Sequence, residues 1–237
     1  MSILYIDKSD CVIGKQDNRM TVKYKDGMVR TIPIESIDGI TLLGHAQVTT
    51  QCIQECLKKG ISLSYFSKGG HYFGRLSSTG HIKASLQRKQ ARLYDQPFAL
   101  EFSKNIIYAK IHNQIVVLKR YSRSTNHNIS DIELHMKSAL RKVNYVKSIE
   151  ELMGYEGSAA KYYFKGLSIC IDDAFKFEGR SKRPPRDAFN SMLSLGYSIL
   201  MNELYGEIEI KGLNAYFGFL HRDAEKHPTL ASDMMEE

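Results

Sequence analysis

A chain of 237 residues with 43% hydrophobic and 25% charged side chains has the make-up of a folded globular protein of one or two domains, whose cores need no disulfide staples. That composition excludes collagen-like, low-complexity and disordered classes; no apolar run approaches the roughly 18 residues of a spanning helix, and Asp7-Lys8 come too early for a signal peptide, so the expected location is the cytoplasm. The net charge of +7 is uneven: residues 87–147 carry 12 Lys+Arg against 4 Asp+Glu, and residues 148–237 carry 10 against 15, so a middle that attracts polyanions precedes an end rich in carboxylates.

Ile3 to Ile6, Met20 to Tyr24 and Val29 to Ile32 have the β-branched and aromatic content of strands, and Asp26-Gly27 is a hairpin signal between the last two. Ile37 to Leu43 ends at Gly44, Ile61 to Phe66 alternates before the Gly69-Gly70 turn, and Tyr72 to Leu76 closes the set. One helix interrupts them, from Val48 to Lys59, with Gly60 as its C-cap. Cys52 and Cys56 share a face of it; with Cys11 and Cys170 they read as reduced core thiols, because no CxxC pair or nearby histidine supports a zinc site. Residues 1–85 are therefore expected to form a strand-rich domain.

From Ala84 the period becomes helical, and residues 86–237 are expected to form an all-helical domain, making the chain α+β. Ile106, Ile107, Ile111, Ile115 and Leu118 lie on an amphipathic helix that also bears Lys104, Lys110, Lys119, Arg120 and Arg123. A polar loop at 124–128 leads to a helix from Ile129 to Arg141. After Pro184-Pro185, Asp187 is the expected N-cap of an apolar helix ending at Gly206, read as core. From His227 a helix begins and stops in mid-pattern, so the natural protein is expected to continue beyond Glu237.

Three features point to a divalent cation. Glu156 sits among small residues before an aromatic helical face, His221 closes a Gly-rich apolar stretch, and Asp233 and Glu236 lie three apart on one helix face. Oxygen donors with one imidazole suit Mg2+ or Mn2+. Each also has a plainer reading, a hydrogen-bonded structural histidine or an acidic pair answering a helix dipole. Spacing alone leaves the choice open, because 65 residues separate Glu156 from His221.

Several blocks carry a family resemblance. Tyr155-Glu156-Gly157-Ser158-Ala159-Ala160 to Tyr163-Phe164, Arg183-Pro184-Pro185 with Asp187 to Tyr197, Gly212-Leu213 to Gly218-Phe219-Leu220-His221, and Leu230 to Glu237 resemble, in order, the signature blocks of the CRISPR-associated integrases. The first third is similar more loosely, through Pro33, Gly44, Gly60 and Gly69-Gly70. The resemblance implies a homodimer of protomers that join an N-terminal β-sandwich, used in dimerisation, to a helical metal-binding domain. It further implies a small ferredoxin-like adaptation partner and double-stranded DNA along a basic face. Glu156, His221 and Glu236 match the ligand positions, with Asp233 as a further ligand or the support behind one.

The chemistry so implied is attack of a DNA 3′-hydroxyl on a phosphodiester of the repeat, or hydrolysis when water attacks. Lys161, Lys165, Lys182, Arg183 and Arg186 are expected near the scissile strand, and Lys104, Lys110, Lys119, Arg120 and Arg123 along the duplex. Tyr163, Tyr197 and Asn190 are candidates for orienting ligands or phosphates, or for packing. Two alternatives stand beside this reading: a standalone metal-dependent repair nuclease acting on branched DNA, and a non-catalytic DNA-binding or dimerisation scaffold.

Overall fold

The structure, a computed structural model, describes residues 2–80, 82–182, 184–222, 225 and 227–236. It divides into two compact units, residues 1–82 and 83–237.

The first unit holds two four-stranded sheets. In one, β1 (Ile3–Ile6), β5 (Gly39–Leu43) and β7 (Ser62–Phe66) run parallel, and β8 (Tyr72–Leu76) pairs antiparallel with β7. In the other, β4 (Val29–Pro33), β3 (Arg19–Lys23) and β2 (Val12–Gln16) form an antiparallel meander, and the two-residue β6 (Gln47–Val48) lies parallel to β2. Ile13, Met20 and Val22 from one sheet and Ile6, Ile40, Leu42 and Leu63 from the other are buried in a single cluster. The two sheets thus share one apolar interior, as in a sandwich. The Asp26-Gly27 turn closes the β3–β4 hairpin, with Gly27 at φ 84°, a conformation that costs glycine little.

Helix α1 (Thr50–Lys59) begins two residues later than its sequence pattern suggests. Val48 is taken by β6, and the Thr49 side chain caps the helix by accepting from the Cys52 N–H at 3.3 Å. Gly60 ends it in the left-handed conformation, φ 73°. All four cysteines are free and buried.

The second unit contains α2 (Ala84–Leu93), α3 (Pro97–Thr125), α4 (Ser130–Val143), α5 (Ile149–Cys170), α6 (Ala188–Ile210) and α7 (Thr229–Met235). Ile107, Ile111 and Leu118 of α3 meet Ile132 and Met136 of α4 and Leu152 and Ala159 of α5 in its main core. Gly166 lets α5 approach closely, since a Cβ there would lie 3.0 Å from Leu118 Cδ1. Ser148 caps α5 by accepting from the Glu151 N–H at 3.2 Å.

Helix α6 departs from expectation in two ways. It starts at its Asp187 cap but runs through Gly206 to Ile210, and it is not core: only Asn190, Gly206 and Ile208 are buried, while Met192 is 56% and Leu195 46% exposed. Helical period identifies an apolar stripe without saying what covers it, and within this unit α6 packs chiefly on α7. No helix among the described residues is long and apolar enough to cross a membrane.

A buried amide fastens the segment after α6. Gln90 of α2 donates through Nε2 to the carbonyls of Asn214 (2.8 Å) and Phe217 (2.9 Å), and its Oε1 accepts from the Asn214 N–H at 2.9 Å. Replacing Gln90 by Ala takes the partner from the Phe217 carbonyl and the Asn214 N–H and leaves the Asn214 carbonyl only the Phe217 N–H at 3.3 Å. We expect a loss of about 2–4 kcal/mol in urea unfolding, seen as a lower midpoint.

Candidate active site

The segment between α6 and α7 is built to hold one imidazole. Gly212 leaves α6 with φ 83°, and Ala215, Phe219 and Leu220 are buried, Phe219 against Phe98 and Phe102 of α3. The Gly218 N–H donates to Thr229 Oγ1 at 2.9 Å, and that hydroxyl donates to the Tyr216 carbonyl at 2.7 Å. Side chains other than hydrogen have no room at 218. An added Cβ would stand 2.7 Å from the Thr229 carbonyl carbon, 2.8 Å from the His221 carbonyl oxygen and 2.9 Å from Asp233 Oδ2.

Asp233 is fully buried, and its carboxylate is consumed by four donors. Oδ2 accepts from the N–H groups of Phe219 (2.5 Å) and Leu220 (3.0 Å), and Oδ1 from the N–H of His221 (2.9 Å) and from its Nδ1 (2.9 Å). The aspartate thus fixes both the backbone that carries His221 and the ring itself. With Nδ1 occupied, Nε2 faces Glu236, 3.9 Å from Oε1. The Asp233 hydrogen bond raises the His221 pKa, burial lowers it, and the Asp233 and Glu236 charges help leave it above the ordinary imidazole value.

Glu236 follows α7 directly, and Glu156 lies in the middle of α5. A third helix joins them: Lys110 of α3 places Nζ 2.5 Å from Glu156 Oε1 and also pairs with Glu236 Oε2. All three side chains are largely shielded, with 15%, 21% and 24% exposure for Lys110, Glu156 and Glu236. Burial pushes the lysine down, but the charges of Glu236 and then Glu156 outweigh it and hold the ammonium above its usual pKa. The fold therefore brings Glu156, His221, Asp233 and Glu236 to one place around an ammonium ion. As they stand, no group of three His, Cys, Asp or Glu side chains among the described residues is arranged to hold a metal; Lys110 supplies the cation.

The basic residues separate by position. Lys110, expected on a DNA-facing surface, is instead enclosed by the carboxylates. Lys104 pairs with Glu101 (2.8 Å) and Lys119 with Glu133 (3.2 Å). Arg120 and Arg123 are exposed and, with Val116, Lys119 and Ser124, line an open groove of about 570 Å³. Lys161 and Lys165 are exposed on α5, but at 100° per residue they are turned about 140° and about 180° from Glu156, so they do not share its face. Lys182 and Arg186 are exposed before α6, and Arg183 lies outside the described residues.

Asn190 is spent on the fold rather than open to a ligand. Its Nδ2 donates to the Gly179 carbonyl (2.9 Å) and Asp187 Oδ2 (2.7 Å), and its Oδ1 accepts from the Ser181 N–H (3.1 Å) and Arg180 Nη1 (2.9 Å). Tyr197 lies beneath the Arg180 guanidinium, 5.6 Å from its ring centre. Burial, then the Glu236 charge, raise the Tyr197 phenol; burial, then Tyr197, raise that of Tyr163. Sequence reasoning missed the place of Lys110 in the cluster. The available signal was its position beside Ile106, Ile107 and Ile111, at the edge of an apolar helix face.

Residues 4–237 match the family model of the CRISPR associated protein Cas1. The CRISPR-associated endonuclease Cas1 of Mycobacterium tuberculosis (strain CDC 1551 / Oshkosh) is 42% identical over 234 residues, spanning 98% of this chain and 69% of that protein. In a solved Cas6-RT-Cas1–Cas2 complex, a chain 27% identical superposes with a TM-score of 0.79 over 99% of this chain and 26% of its own length. A casposase bound to integration product shares the fold, with a TM-score of 0.83 at 24% identity, over 100% of this chain and 69% of that one. The chain belongs to the Cas1 family of CRISPR-associated proteins.

Proposed function

We propose that this protein is a metal-dependent DNA endonuclease and integrase of CRISPR adaptation, joining foreign DNA ends to the repeat array in the cytoplasm. The observation that carries the reading is two glutamates from separate helices sharing one buried cation beside a fixed imidazole. The donor set fits a hard divalent ion: Glu156 and Glu236 offer oxygens, His221 offers Nε2, and the Lys110 ammonium already marks where positive charge is favoured. Mg2+ or Mn2+ bound there would act as a Lewis acid on a phosphodiester oxygen.

The chain's own groups have separate tasks. Asp233 keeps the proton on Nδ1, so Nε2 presents its lone pair. Glu156 and Glu236 point their carboxyl oxygens at one positive charge. Arg120, Arg123 and Lys119 attract the duplex without reading bases. The reaction is a transesterification, in which the 3′-oxygen of a DNA end forms a P–O bond as the bond to the repeat's own 3′-oxygen breaks; water in its place gives hydrolysis. The name of the Cas6-RT-Cas1–Cas2 complex supports a Cas2 partner protein; we infer that this partner is small and ferredoxin-like, and that the protein works as a homodimer on double-stranded DNA.

Glu156→Ala is expected to stay folded by circular dichroism yet to lose joining of free 3′ ends to a repeat-containing plasmid, scored as joined rather than cut product. Wild-type joining by this variant rejects the assignment, and cutting without joining by the native protein favours a repair nuclease.

The raised His221 pKa sets a pH dependence. Below it the ring is protonated and repels a divalent ion, so Mn2+ affinity should rise with pH and level off above an inflection higher than 6.5. Asp233→Asn should move the inflection down and weaken binding about 10–100-fold; a flat profile from pH 5.5 to 8.5 excludes His221 as a ligand. In the metal-free protein the sign is opposite. A raised folded-state pKa contributes stability that is complete below the unfolded value and lost as pH rises through the folded one.

A further inference from the structure

We propose that Lys110 is a positioning residue that stands in for the divalent ion in the metal-free protein, holding Glu156 and Glu236 together until the ion displaces it. The inference rests on the metal-site reading above. Lys110 reaches from α3 to two carboxylates, one on α5 and one just beyond α7, and pairs with both. Without a counter-charge, two partly shielded carboxylates that face the same point repel, because the surroundings screen them less than water does. An ion coordinated through the two oxygens that now face Lys110, Glu156 Oε1 and Glu236 Oε2, takes the place of the ammonium, because those oxygens cannot serve both at full strength. A second acceptor lies within reach of the displaced side chain: Gln114, one turn along the same face of α3, has a buried Oε1 with no hydrogen-bond partner among the described residues.

The consequence is competition. Removing the ammonium should destabilise the metal-free state and tighten ion binding, the reverse of what loss of a ligand or of a simple strut would do. With full-length protein, calorimetric Mn2+ titration of Lys110→Met should give affinity at least about tenfold tighter than wild type. Its metal-free melting temperature should be lower, and its metal-induced rise larger. Lys110→Arg retains the charge and should bind Mn2+ like the wild type. A folded Lys110→Met with unchanged or weaker affinity overturns the proposal.

A measurement on the unmodified protein guards against a variant that does not fold. Saturating Mn2+ should increase acetylation of Lys110 by an amine-reactive reagent several-fold, read by mass spectrometry, and unchanged labelling also overturns the proposal. Failure of the underlying reading is distinct: wild type and Glu156→Gln would then give the same featureless Mn2+ isotherm, and the stand-in role would fall with it.

Discussion

One buried carboxylate organises the functional end of this molecule. Asp233 takes three successive backbone N–H groups and an imidazole nitrogen, fixing the segment after α6 as a capping side chain fixes the end of a helix. A charge so deeply enclosed is tolerable only because every donor is already aimed at it. Gly218 belongs to the same arrangement, since only its missing side chain lets the segment fold over Asp233. The position of His221 therefore follows from the seating of α7, which Thr229 ties to Gly218, while Gln90 fastens the same segment to α2.

Around this fixed point the charges balance. Asp233 is neutralised by backbone dipoles, while Glu156 and Glu236 share Lys110. The two kinds of carboxylate have different uses. One is closed to solvent and cannot give up its donors without opening the backbone; the other two keep partial exposure and meet a single ammonium ion. That contrast separates Asp233 from Glu236, although they lie three residues apart and look interchangeable in the sequence.

Local chemistry was legible where a single residue decides a local geometry. The Asp26-Gly27 hairpin, the Gly60 cap and the Asp187 cap all stand where their side chains, or lack of one, require. Strand β2 escaped notice because Gly14, Lys15 and Gln16 dilute its β-branched content, and β6 is too short to show a period. The exposed stripe of α6 was legible as apolar but not as uncovered. At the site, chain separation was the obstacle: nothing local links Glu156, His221 and Glu236, and resemblance to known blocks supplied what spacing did not. Resemblance also drew attention to acids and the histidine, leaving Lys110 among surface cations, where its charge alone had put it.

The ion pair between Lys110 and Glu236 joins residues 126 positions apart, and the Gln90 clamp spans 124. Contacts this distant close late, after the intervening helices have condensed. During biosynthesis, then, α3 and α5 can emerge from the ribosome and pack while the carboxylate cluster is still open. The carboxylate cluster around Lys110 is complete only once translation has passed Glu236, after α3 and α5 have had time to pack.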